Sequence, residues 1–299
     1  MMRTLKEYAV LVLKGMGMGA ADVVPGVSGG TIALIVGIYE ELINSIKSID
    51  FKTLKLLFTF KIAEFWRAIN ASFLLSVVGG ILISIYSLAK LVTYLLEYHP
   101  VMIWAFFFGL VLSSVYYVAK KISIWNLTNT ILFIAGAVFA YYITVATPTT
   151  TPDSLWFIFL SGAIAICAMI LPGISGSFIL LLMGKYHYVM TAVKELDFSI
   201  IIVFASGAII GIILFSRFLS YLLNNFYNVT IAVLSGFMLG SLNKVWPWKE
   251  LTRSLTDSAV IAERNILPHT YVFEGIGLIM AGIAVVVILE SVSASYEKK

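Results

Sequence analysis

Two stretches of the chain carry nearly the same short motif, and its residue types are typical of anion-binding sites. The first copy begins Pro25-Gly26-Val27-Ser28-Gly29 and the second Pro172-Gly173-Ile174-Ser175-Gly176, and both continue as x-x-I-x-L-x-x-G-x-Y. A serine before such a glycine is a preferred helix N-cap. The first turn of a helix presents backbone N–H groups and the positive end of a dipole. Each copy therefore predicts a helix start that can bind a phosphate group.

The candidate phosphate-binding residues are those of the two helix starts, together with three basic residues in or beside apolar segments. A charge inside an apolar span is costly and points to function, and paired cations suit phosphate. Two alternatives stay open: the motif is only a capped kink for helix packing, and the cations only reach out to the lipid headgroups. The candidates are Ser28, Gly29, Gly30, Thr31, Ser175, Gly176, Ser177, Arg217, Lys90 and Lys14.

Proline and glycine break the helix in both copies, because proline lacks an amide proton and glycine tolerates unusual backbone angles. The breaking residues are Pro25, Gly26, Pro172 and Gly173.

Two carboxylates lie near the first copy. Asp22 precedes the break, where the second copy has Met169. It binds a coupling proton or cation, pairs with Lys14 or Lys90, or caps the helix. Glu40 is expected at the end of the helix that Ser28 starts, about 18 Å from it at 1.5 Å per residue, and is the weaker site candidate.

The composition indicates an integral membrane protein. Hydrophobic residues make up 60% and charged residues 12%, and the mean hydropathy is +0.98; soluble domains contain about 25% charged residues. Nothing indicates nucleic-acid binding, and there is no metal-ligand cluster, Walker motif or GxGxxG. We therefore expect no metal, no cofactor and no hydrolysis of ATP by this chain alone.

The repeated motif predicts an all-α membrane protein of two inverted-topology repeats, each a Pro-Gly-broken, re-entrant helical hairpin followed by three transmembrane helices. Whether the arm at 155–171 re-enters or crosses the membrane stays open. Repeat 1 covers 1–147, with hairpin 8–46, an amphipathic insertion at 47–67 and spans 71–96, 101–119 and 128–146. Repeat 2 covers 148–299, with hairpin 155–193 and spans 200–223, 227–243 and 271–290.

Lysine and arginine placement predicts cytoplasmic N- and C-termini in a multi-pass protein of the cytoplasmic membrane. One connection disagrees with this orientation. The segment from Lys244 to Arg264 is expected outside, yet it carries four cations.

An enzyme is a further possibility, because both motifs contain the G-x-S-G of rhomboid-type intramembrane proteases. Such a protease needs a histidine on a facing helix as its base. His99 and His269 fall in predicted connections, and His187 follows the second motif on the same helix. We therefore expect a transporter.

The segments 20–43 (AADVVPGVSGGTIALIVGIYEELI) and 171–186 (LPGISGSFILLLMGKY) resemble the bacterial and archaeal polyprenyl-phosphate transporter family. The resemblance covers nearly the whole chain. It implies a translocase that returns undecaprenyl phosphate, the lipid carrier of cell-wall synthesis, from the outer to the inner leaflet. It also marks Asp22, Glu40 and the prolines, glycines and serines of both motifs as functional: Pro25, Gly26, Ser28, Gly29, Gly30, Pro172, Gly173, Ser175, Gly176 and Ser177.

The expected partners are undecaprenyl phosphate or a related polyprenyl phosphate, membrane lipids, and either a coupling proton or cation or none. The sequence does not determine the oligomeric state. The alternative function is secondary transport of a small soluble anion through the same site.

Overall fold

A computed structural model describes residues 3–24, 26–253 and 261–297. Most of them are helical, because the chain is a series of apolar segments that satisfy their backbone hydrogen bonds internally. The helices are α1 Leu5–Val23, α2 Gly29–Ile35, α3 Tyr39–Lys47, α4 Phe51–Phe58, α5 Ile62–Ala68, α6 Ala71–Tyr98, α7 Pro100–Ala119, α8 Leu127–Val145, α9 Leu155–Ile170, α10 Gly176–Leu182, α11 Tyr186–Glu195, α12 Phe198–Asn225, α13 Tyr227–Ser241 and α14 Val272–Glu297, with strands β1 Lys249–Arg253 and β2 Ile261–Asn265.

Five of the described helices, α6, α7, α8, α12 and α14, are long and apolar enough to cross a membrane, and α2 with α3 would make a sixth, bent span. The expectation of a helical membrane protein is confirmed. The predicted span at 227–243 is shorter than expected, since α13 has only 15 residues.

The two halves of the chain contain the same series of helices. The order α1-α2-α3-α6-α7-α8 recurs as α9-α10-α11-α12-α13-α14, and α6 and α12 both have 28 residues. Helix α1 packs along α6, and α9 packs along α12. The remaining helices pair across the halves, α7 with α14 and α8 with α13.

Glycines allow the first arm of each hairpin to pack closely against a long helix. A Cβ at Gly15 would lie 2.2 Å from the Val77 carbonyl oxygen, and one at Gly207 would lie 1.9 Å from that of Phe159. Gly19, near the end of α1, lies beside Ser84 at the centre of α6. Both first arms therefore run beside the long helices, and α1 approaches its break level with the middle of α6.

The second arm of each hairpin is broken into two helices. This corrects the expectation that one continuous helix begins at Ser28 and another at Ser175. Gly37 and Gly184 have φ of 72° and 66°, and the amide of the residue after each bonds to a carbonyl five residues earlier. This is the glycine C-cap of a Schellman motif. Helices α2 and α3 consequently meet at 117°.

Two connections also differ from expectation. The insertion at 47–67 forms two short helices, α4 and α5, separated by Phe60 with φ of 57°. The connection after α13 contains an antiparallel pair of strands, in which Lys249 pairs with Asn265, where only helices and loops were expected. Pro25 and the C-terminal Lys298 and Lys299 lie outside the described residues.

Candidate functional site

The first break, here called the first tip (residues 22–31), holds its helix start with its own side chains. The Asp22 carboxylate accepts a hydrogen bond from Gly29 N at 2.7 Å, and Ser28 Oγ accepts one from Gly30 N at 3.1 Å. The amide of Thr31 donates to the carbonyl of Ser28. The first-turn amides of α2 therefore have acceptors within the protein.

The second tip (residues 169–177) packs directly on the first. Ser28 Oγ donates to the Met169 carbonyl at 2.7 Å, and Gly173 N donates to Thr31 Oγ1 at 3.0 Å. A Cβ at Gly30 would lie 2.1 Å from the Ile170 carbonyl oxygen. We call this contact the tip junction.

The junction differs from the expected pair of facing helix starts. The start of α2 faces the last carbonyls of α9, so a positive helix end meets a negative one. In the second tip Ser175 Oγ contacts Ser177 Oγ at 2.9 Å and caps no amide, and Ser177 is exposed. In this structure Asp22 and Ser28 accept from the first-turn amides of α2, and the α9 carbonyls face that helix start. A phosphate shared by both starts stays a prediction.

The three predicted cations do not gather at the tip junction. Lys14 Nζ donates to the Val36 carbonyl at 2.6 Å, at the opposite end of α2 from Ser28. Arg217 reaches the Ile49 carbonyl at 3.5 Å. Lys90 is exposed on α6, without a hydrogen bond or ion pair to any described residue. Whether each binds phosphate stays a prediction, but they share no single site.

One cation that the sequence did not single out lies at the junction. A Cβ at Gly26 would lie 2.6 Å from Lys244 Cγ, so the lysine stem covers the first tip. The Lys244 ammonium lies 4.9 Å from the centre of the Phe178 ring, next to the second tip. The sequence did hold one indication of this role. Lys244 belongs to the connection that is expected outside but is rich in lysine and arginine, which normally favour the cytoplasmic side.

Two neighbouring residues of the first copy lie in different environments. Tyr39 is 2% exposed, and its hydroxyl donates to the Ile170 carbonyl at 3.3 Å. Glu40, by contrast, is exposed. Because α2 ends before Gly37, Glu40 lies on a different helix from Ser28, which corrects the expectation for this residue.

The described residues offer no protease or metal geometry. None of their hydrogen bonds joins a histidine to Ser28 or Ser175; His269 contacts the Leu267 carbonyl. No group of three or more histidine, cysteine, aspartate or glutamate side chains within the described ranges is placed to hold a metal ion.

Comparison with known proteins identifies the family. A profile described as undecaprenyl phosphate translocase-like matches residues 18–262. A polyprenyl-phosphate transporter of Vibrio cholerae serotype O1 is 48% identical over 269 residues, 89% of this chain and 87% of that protein. The chain belongs to the undecaprenyl phosphate translocase-like family. A polyprenyl-phosphate transporter of Staphylococcus aureus is 36% identical over 255 residues, 79% of this chain and 85% of that protein. No solved structure gives a significant match.

Membership in the undecaprenyl phosphate translocase-like family makes the chain a multi-pass membrane transporter and not an enzyme. The profile match includes both tips, Lys244 and Arg217, and it begins after Lys14. The residues at the tip junction are therefore part of the region that the family shares.

Proposed function

We propose that the chain translocates undecaprenyl phosphate from the outer to the inner leaflet of the cytoplasmic membrane, with both termini in the cytoplasm. Two relatives named polyprenyl-phosphate transporters support the substrate class. The five long apolar helices and two broken hairpins support a path within the membrane, because irregular backbone at that depth normally lines a cavity or a binding site.

The phosphate binds at the tip junction, and Lys244 is its main cation. The observation that carries this assignment is that the Lys244 stem packs on Gly26 of the first tip while its ammonium lies over Phe178, next to the second tip. The Ser175 and Ser177 hydroxyls are close in sequence to Phe178 and supply hydrogen bonds. The first tip positions this site through Ser28, Gly30 and Thr31.

Alternating access accounts for the unequal packing of the two hairpins. All of α2 is buried, whereas in α10 only Gly176 is buried. Helix α3 packs along α12 of the other half, but its counterpart α11 packs on α10 and α12 and not along α6. Under this proposal the structure is the state that is open on the side of α11. The opposite state forms when α10 and α11 become tightly packed and α2 and α3 become loosely packed.

Reconstitution in liposomes tests the function and the site together. Undecaprenyl phosphate is placed in one leaflet and detected by a leaflet-specific reagent, with and without a pH gradient. We expect Lys244→Gln to lower the rate about tenfold or more, because a charged hydrogen bond to phosphate is lost. Lys120→Gln is the control, since Lys120 is an exposed lysine at the end of α7.

Two results would contradict the proposal. Wild-type protein that leaves the lipid in its original leaflet, but takes up soluble phosphate into the liposome, would favour the transporter of a small anion. A Lys244→Gln variant that moves the lipid at the wild-type rate would remove Lys244 from the site. A rate that depends on the pH gradient would identify proton coupling, for which Asp22 is the candidate carboxylate.

A further inference from the structure

Two cations from different halves of the chain converge on the contact between α3 and α12. Lys47 Nζ, at the end of α3, donates to Ser220 Oγ of α12 at 3.0 Å. Arg217, one helical turn before Ser220, reaches the Ile49 carbonyl just beyond α3 at 3.5 Å. We call Lys47, Arg217 and Ser220 the seam cluster.

The hydroxyl of the seam cluster is buried and held in place. Ser220 is 1% exposed, donates to Asn44 Oδ1 at 2.8 Å and accepts from Asn224 Nδ2 at 3.1 Å. These bonds position Ser220 Oγ toward the Lys47 ammonium. The cluster is therefore a built arrangement and not a chance meeting of two long side chains.

The nearby carboxylates are engaged elsewhere. Neither Lys47 nor Arg217 has a carboxylate within 4.0 Å among the described residues. Asp50 caps α4 by accepting from Thr53 N at 2.8 Å, and that hydrogen bond is the main reason its pKa is lowered, with a smaller contribution from Arg217.

Glu41, the other acid on this face, is held in a separate network. It accepts two hydrogen bonds from Arg3, at 2.7 Å each, and one from Asn70 at 2.8 Å. The hydrogen bond with Glu41 is the main reason that the pKa of Arg3 is raised. Because neither Lys47 nor Arg217 forms an ion pair with a carboxylate of the described residues, a bound anion would add a favourable Coulomb interaction with both.

The seam cluster lies in the second half of α12, next to the connection between α3 and α4. Arg217 is six residues, about 9 Å at 1.5 Å per residue, beyond Gly211 near the centre of α12. The adjacent segment exposes Phe51 and Phe58 of α4 and Phe60 between α4 and α5, as amphipathic segments on a membrane surface do. A cleft of about 480 Å³ opens beside the end of α3, and the seam-cluster residues do not line it. Its lining residues are Glu41, Asn44, Ser45, Ser48, Ala68 and Asn70.

We propose that the seam cluster binds the phosphate monoester headgroup of a polyprenyl lipid at the membrane face that carries α4 and α5. A phosphate monoester carries close to two negative charges at pH 7, which match the two cations, whereas a phospholipid diester carries one on its phosphate. This site rests on the proposed function and adds to it a second phosphate station, at the membrane face, besides the tip junction.

Binding in lipid nanodiscs tests the seam cluster apart from transport. Lys244→Gln protein, whose junction site is weakened, is titrated with undecaprenyl phosphate or phosphatidylglycerol, and bound lipid is counted by native mass spectrometry. We expect the added pair Lys47→Gln and Arg217→Gln to weaken undecaprenyl phosphate binding about tenfold or more and to leave phosphatidylglycerol binding unchanged. The control pair Lys52→Gln and Lys55→Gln removes equal charge from exposed positions of α4.

Each alternative outcome overturns the seam assignment. These are unchanged undecaprenyl phosphate binding, an equal loss in the control pair, and loss of phosphatidylglycerol binding alone. Circular dichroism of the variants excludes unfolding as the cause of a loss.

Loss of seam binding with a wild-type protein that transports no lipid would refute the proposed function and keep the site. Wild-type transport with unchanged binding in the seam variants would keep the function and refute the site.

Discussion

The carboxylate of Asp22 accepts a hydrogen bond from the amide of Gly29, across the break between α1 and α2, at 2.7 Å. This bond places a negative charge of the protein at a helix start that was predicted to receive a substrate phosphate. In the second copy Met169 takes the place of Asp22 and makes no such bond through its side chain. The two tips therefore have the same motif and different chemistry.

Replacement of Asp22 separates capping from proton coupling. Asp22→Asn keeps an oxygen acceptor for Gly29 N, so we expect transport within about twofold of wild type, whereas Asp22→Ala loses the cap and about 1 kcal/mol of stability. Apparent melting temperature in detergent and the liposome rate measure the two effects. An Asp22→Asn protein that is stable but inactive would show that the carboxyl takes part in transport.

The two motif serines provide a matched pair. Ser28 Oγ bonds both Gly30 N and the Met169 carbonyl and is fully buried, so Ser28→Ala leaves two buried groups unpaired. We expect a loss of about 1–3 kcal/mol. Ser175→Ala breaks only the contact with Ser177 and is expected to cost much less. Denaturant titration in mixed micelles measures both, and equal losses would contradict the unequal roles of the tips.

Gly30 is required by the close approach of the two tips. Its missing Cβ leaves room for the Ile170 carbonyl, which a methyl group would meet at 2.1 Å. We expect Gly30→Ala to destabilise the protein by about 1–3 kcal/mol and to slow transport. Gly79→Ala, where a Cβ meets nothing within 4 Å, is the control and is expected to be neutral or stabilising. A Gly30→Ala protein as stable as wild type would mean that the tips separate easily.

Gly37 ends α2 with φ of 72°, a conformation that costs other residues about 1–2 kcal/mol. We therefore expect Gly37→Ala to lower stability by about that amount and to straighten the 117° bend between α2 and α3. Gly277→Ala, in an open part of α14, serves as the comparison. Melting temperature measures the first effect, and the distance between spin labels on α1 and α3 measures the second. An unchanged distance would show that packing alone maintains the bend.

The last glycine of the motif, Gly37 in the first copy and Gly184 in the second, shows how much a local pattern can predict. It was present in the pattern G-x-Y of both copies, but a single glycine inside an apolar segment is compatible with a continuing helix. Only the positive φ and the backbone bond to a carbonyl five residues earlier identify it as a helix end. The buried position of Tyr39 and the separation of Glu40 from Ser28 follow from that end.

The sequence by itself determined the membrane class, the long apolar helices, the two breaks and the family, because these depend on composition and on short-range spacing. Only the tertiary structure decided which groups meet at the breaks. Asp22 occupies one helix start, the carbonyls of α9 face it, and Lys244 reaches the junction from a connection more than two hundred residues later in the chain. Such contacts depend on how helices that are distant in the sequence pack, and the spacing of residues within a short segment does not determine that packing.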